Sequence, residues 1–115
     1  MKYLVMIYGD EAALAKRAPS DATAMSQAHG AYAEALAKAG VLQGGQRLQP
    51  TSAATSLRLR GDKTEVLNGP YAETREQLGG YYMIDVPDLD EALKWAARCP
   101  SLAEGTIEVR PIWEM

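Results

Sequence analysis

His29 is the chain's one histidine and the only side chain that ordinarily changes charge near neutral pH. Helical spacing sets it on an apolar stripe with Met25, Tyr32, Leu36 and Ala39. There it can act as a general acid or base facing a cavity. The same position equally suits a histidine at the edge of the core, hydrogen-bonded to the backbone or to a tyrosine. Asp85 interrupts an apolar strand on the face of Tyr81 and Met83. A carboxylate there orients His29 if both face one pocket, or it bonds amides of the turn before Asp88.

A second group of chemical residues lies in Asn68-Gly69-Pro70-Tyr71-Ala72-Glu73-Thr74-Arg75-Glu76-Gln77-Leu78-Gly79-Gly80. Glycine and proline pin the backbone path, and loops between strands are where a small domain keeps its site. Asn68, Tyr71 and Glu73 are candidate pocket residues, and Arg75 suits a ligand carboxylate. Against this, Thr74 and Gln77 have the spacing of a one-turn capping box, with the charges solvating a loop. Gly44-Gly45 admits a ligand beside the backbone or marks a bulge. Cys99, the single cysteine, follows a helix at its electronegative end, where a thiolate is disfavoured.

The elements that must position these groups can be read in order. Residues 2–8 are apolar on both alternating faces, as in a strand covered from two sides. Their apolar run breaks at Gly9-Asp10-Glu11 and resembles a strand more than an export signal. After a polar connection, Ser20 is the expected N-cap of a helix running to about Ala39, with Gly40 as its left-handed cap. Residues 41–49 form a strand broken by the glycine pair. Residues 57–60 and 63–67 form a hairpin about Gly61-Asp62, with glycine first as in a type II′ turn. Residues 81–86 give the next strand, Asp88 caps a helix that Pro100 ends, and 107–113 give the last strand. Two strand–helix–strand units in one short chain predict an α+β, ferredoxin-like split βαβ fold with an inserted β-hairpin.

With 115 residues, 47% of them hydrophobic and 23% charged, the chain fits a single soluble domain, residues 1–115. The net charge of −3 gives no electrostatic reason for nucleic acid or an anionic membrane as partner. No apolar run reaches the roughly 20 residues of a membrane span. One cysteine excludes an internal disulfide and fits a cytoplasmic setting. One cysteine and one histidine disfavour zinc. Without a phosphate loop, a GxSxG elbow or a Cys-x-x-Cys pair, no cofactor is indicated. Two helices cover only one face of the expected sheet, while residues 3–8 and 81–84 are apolar on both. The uncovered face would expose several hundred Å², so a homodimer packed sheet to sheet is expected.

The run from Asn68 to Glu76, followed by Gly79-Gly80-Tyr81-Tyr82, Asp85-Val86, Asp88-Leu89-Asp90-Glu91-Ala92, Trp95-Ala96-Ala97-Arg98-Cys99-Pro100 and Glu108-Val109-Arg110-Pro111, resembles the YCII-related proteins. It is most similar to the branch named for an Asp-Gly-Pro-Phe (DGPF) motif. Ala39-Gly40-Val41-Leu42 matches the usual end of the first helix. The resemblance implies dimers of the α/β-barrel type and, in a few relatives, activity on small aromatic compounds, including a dehydrochlorinase. A His–Asp pair is discussed for the wider family, and some members of the branch accompany extracytoplasmic-function sigma factors. Here Asn68 replaces the motif's Asp, without a titratable proton, and Tyr71 replaces its Phe. Two functions are therefore expected in competition. One is a cofactor-free acid–base enzyme, of elimination or isomerisation type, acting on a small polar or aromatic molecule. The other is a small-ligand-binding or regulatory module associated with a sigma factor.

Overall fold

The computed structural model describes residues 1–114. Six strands, three α-helices and two short 3-10 turns form a mixed α+β domain. Strands β1 (Lys2–Gly9), β2 (Leu42–Arg47), β5 (Gln77–Asp85) and β6 (Thr106–Pro111) make one sheet in the order β2-β5-β1-β6. All three of its pairings are antiparallel. Strands β3 (Thr55–Arg60) and β4 (Lys63–Asn68) form a separate two-stranded arm.

Helix α2 (Pro19–Lys38) connects β1 to β2, and α3 (Leu89–Ala96) connects β5 to β6. Tyr32 and Leu36 of α2, and Ala92 and Ala96 of α3, are buried against Tyr3, Val5, Ile84 and Val86. The helix end anticipated at Gly40 is present: Gly40 takes φ +75°. The Val41 amide donates to the Leu36 carbonyl and the Gly40 amide to that of Ala37, the Schellman pattern that satisfies last-turn acceptors. Asp88 caps α3 through a bond from the Glu91 amide. Gly61 alone of the hairpin turn has positive φ, +64°, as a type II′ turn requires.

Several local expectations are corrected. Ser20 is not the N-cap of α2; Ala18 takes that position, and Pro19 opens the helix, where a missing N–H is harmless. The supposed polar connection contains a short helix, α1 (Glu11–Ala15), capped by Asp10, whose carboxylate accepts from the Ala13 amide. Thr74 and Gln77 form no helical turn. Gln77 opens β5, and both side chains bond to neighbouring carbonyls instead. The Gly79-Gly80 pair thus lies inside the strand, at a register shift opposite Ile7 and Tyr8. The last strand ends at Pro111 rather than at residue 113, and Trp113 is exposed.

Sheet register assigns each face. Tyr3, Val5, Ile7, Tyr82 and Ile84 lie toward the helices, with Ile107 and Val109 packed beside them. Leu4, Met6, Tyr8, Tyr81 and Met83 line the opposite face by alternation, and among the described residues no helix lies over it. The molecule measures 47 × 44 × 18 Å, its short dimension that of one sheet and one helical layer.

Candidate functional site

The N-terminal half of α2 stands off the sheet, and a cleft of about 510 Å³ opens between them. Ala22, Met25, Ser26 and His29 line it from the helix, at the i, i+3, i+4, i+7 spacing of one helical face. Beyond His29 the same face carries Tyr32 and Leu36, which are buried. His29 thus stands where core becomes cleft.

Both imidazole nitrogens have hydroxyl partners. Nδ1 is 2.8 Å from the Tyr82 hydroxyl and Nε2 is 2.7 Å from Ser101 Oγ. Burial lowers the pKa of His29 below its ordinary value, with the Arg47 guanidinium assisting and Glu104 opposing. The neutral ring so favoured has one N–H donor and one acceptor. One hydroxyl therefore donates to the ring while the other accepts from it. Burial also pushes the phenol of Tyr82 upward, so its hydroxyl keeps its proton at neutral pH.

Packing fixes this arrangement. The rings of Tyr82 and His29 lie nearly parallel, 12° apart with centroids separated by 6.0 Å. Tyr32 meets Tyr82 edge-on at 5.2 Å and donates its hydroxyl to the Trp95 carbonyl, 2.7 Å away. Gly45 pairs with Tyr82 across the sheet. A Cβ at Gly45 would lie 2.8 Å from the Tyr81 carbonyl oxygen and 3.0 Å from the Tyr82 ring. Close backbone approach explains this glycine, and the anticipated bulge lies beside it, between Leu42 and Gly44. Ser101 comes from the 3-10 turn Pro100–Ala103; α3 has already ended at Ala96, so Pro100 opens this turn rather than ending the helix.

The cleft's outer wall is tied by Glu11. Its carboxylate accepts from the Thr51 amide and hydroxyl at 2.9 and 2.7 Å, and its own amide donates to the Gln77 side chain. Arg17 and Glu104 pair at 2.6 Å on another edge.

Of the residues expected from sequence, His29 lines the cleft and Asp85 does not. Asp85 belongs to the opposite face of β5, half-exposed, with its carboxylate 3.0 Å from the Met1 nitrogen. It cannot orient His29, because successive strand residues point to opposite sides and Tyr82 is the one that faces the helix. Asn68 ends β4 paired with Thr55. Tyr71 is 79% exposed, and Glu73 and Arg75 are exposed in the loop that follows. None of these four lines the cleft. Cys99 is buried, and burial raises its thiol pKa, in keeping with an unreactive side chain.

The sequence reading missed Tyr82 and Ser101 as partners of His29, and missed Arg47 altogether. Tyr82 carried a usable signal, since it shares the inward alternation of Ile84 and Val86. Ser101 lies 72 positions from His29, and nothing local announces it.

Comparison with known proteins places this geometry in context. The chain is 38% identical over 114 residues to an uncharacterised protein of Rhizobium meliloti (strain 1021), covering 97% of this chain and 92% of that one. The structure superposes on the 5-chloro-2-hydroxyhydroquinone dehydrochlorinase of Burkholderia phenoliruptrix AC1100, solved in complex with 2,5-dihydroxybenzoquinone. The TM-score is 0.56, with 17% identity, covering 99% of this chain and 94% of the other; at that identity the likeness concerns the fold. The YCII-related domain matches across residues 1–115, and the chain belongs to the YCII-related family.

Proposed function

We propose that this protein is a cofactor-free enzyme moving protons on a small polar or aromatic molecule, by elimination or isomerisation, in the cleft at His29. The observation that carries the reading is the neutral imidazole held between two hydroxyls, 2.8 and 2.7 Å away, on the wall of an open cleft. A hydroxyl so placed takes a proton from the substrate as it passes its own to the imidazole. The ring becomes an imidazolium, whose second N–H donates to the other hydroxyl. Return of that proton to a different substrate atom completes an isomerisation. Departure of a leaving group with its electron pair completes an elimination. The dehydrochlorinase of similar fold supports the elimination variant and makes 2,5-dihydroxybenzoquinone a sensible first probe.

The finer architecture belongs to the same proposal: a ferredoxin-like half of a dimeric α/β barrel, with the open sheet face covered by a second copy. A cytoplasmic setting and the DGPF branch complete it.

A metabolite screen by thermal shift, followed by turnover assays on the compounds that bind, tests the reading. His29→Gln should bind these compounds and turn over none of them. Tyr82→Phe and Ser101→Ala should differ, the more damaging change marking the hydroxyl that meets substrate. Turnover retained in His29→Gln ends the assignment. A ligand that stabilises the protein without being consumed favours the regulatory alternative.

A further inference from the structure

Among the described residues, four acidic or basic side chains line the cleft besides His29: Glu11, Arg17, Arg47 and Glu104. Three are already engaged. Arg17 and Glu104 neutralise one another at 2.6 Å, and both carboxylate oxygens of Glu11 accept from Thr51. Arg47 makes no ion pair and no side-chain hydrogen bond among the described residues.

Its placement is specific. Arg47 ends β2 and pairs with Gly80 on β5. A Cβ at Gly80 would lie 2.9 Å from the Gln46 carbonyl oxygen and 3.4 Å from the Arg47 Cα. The bare backbone at Gly80 lets β2 close in and so sets the position of Arg47 at the cleft. Alternation puts Arg47 on the same side of the sheet as Gly45, whose cross-strand partner is Tyr82. Its charge is also felt at the His29 ring. An unengaged guanidinium thus shares a cleft with a proton-transfer group, and its planar fork of donors matches a carboxylate or an ionised ring oxygen.

We infer that the ligand of this cleft is a small planar anion, its charged oxygen held by Arg47 and a neighbouring atom presented to the hydroxyls beside His29. This rests on the acid–base reading above and names the substrate class for it. Charge pairing also links binding to chemistry. A bound anion offsets the guanidinium that disfavours a proton on His29, so the base strengthens once its substrate is in place.

Matched anion and neutral pairs test the inference by calorimetry: benzoate with benzamide, 4-hydroxybenzoate with 4-hydroxybenzamide, and 4-nitrophenolate with 4-nitroanisole. Wild type should prefer the anion of at least one pair by about tenfold, a modest factor because Arg47 is exposed and salt screens it. A preference confined to the carboxylates or to the phenolate identifies which oxygen is read. Arg47→Gln should remove the preference while melting like wild type. Arg47→Lys should restore only part of it, and His29→Gln should leave it intact. The inference is overturned if no anion is preferred by wild type, including the case in which nothing binds, or if the preference survives Arg47→Gln. Loss of the preference in Arg47→Gln together with turnover in His29→Gln would instead keep the anion site and discard the acid–base role.

Discussion

His29 is neutral in the folded protein because burial withdraws it from water, and Arg47 works in the same direction. That has a consequence for stability. The unfolded chain takes up a proton on His29 near the ordinary histidine pKa of about 6.5, and the folded chain only at lower pH. The unfolded state therefore binds more protons between those two values, and folding weakens as pH falls through that window. His29→Gln lacks the titration. Wild type should hold its largest stability advantage over the variant above about pH 6.5 and lose it progressively as the pH falls below that, in urea melts run side by side. Parallel curves would contradict the assignment. The helical stripe gave His29 its setting at sequence level, including the possibility of a tyrosine partner. It could not name Tyr82 and Ser101, which are 53 and 72 positions distant. Asp85 misled because a charge in an apolar strand draws attention, whereas the period-two alternation already set it opposite Tyr82.

At the scale of elements, β2 is held against β5 by missing side chains. Gly44 and Gly45 are adjacent yet unequal. A Cβ at Gly44 meets nothing within 4 Å, while one at Gly45 would strike the Tyr81 carbonyl and the Tyr82 ring. Gly44→Ala should stay within about 0.5 kcal/mol of wild type, as most open-surface substitutions do. Gly45→Ala should cost about 1–3 kcal/mol, the range for overpacking, and should lower turnover further by displacing Tyr82 from His29. Denaturant melts and activity of the pair check this, and equal stability would remove the close-approach account. The glycine pair was legible as a bulge or a close approach; which glycine did which was not, because it depends on the partner strand. The helix ends at Gly40 and Asp88 were legible for the opposite reason, since their determinants lie within a few residues. Helix α1 was lost in a connection because five residues are too few to display a period.

The whole molecule is two layers thick, and this bears on its assembly. Leu4 pairs with Met83 and Met6 with Tyr81 on the sheet face away from the helices. The separate β3–β4 arm extends Leu57, Leu59 and Val66 into solvent at 68%, 67% and 62% exposure, although an isolated two-stranded hairpin is marginal by itself. The order of elements along the chain was legible from two strand–helix–strand units, and the apolar residues on both faces of residues 3–8 and 81–84 pointed to a face that two helices could not cover. Covering several hundred Å² of apolar face contributes several kcal/mol at roughly 25 cal/mol per Å², which is comparable to the whole stability of a small domain. A second copy offers the same face by symmetry. Sedimentation equilibrium should therefore find a dimer at micromolar concentration, melting at higher temperature as concentration rises. Met83→Glu buries a carboxylate at the centre of that face and should yield monomers that melt lower. Leu57→Glu on the arm separates the two surfaces: dimers retained in Leu57→Glu and lost in Met83→Glu assign the contact to the sheet. A wild-type protein that sediments as a stable monomer would instead leave the open face wet, and the assembly proposed for this fold would fail.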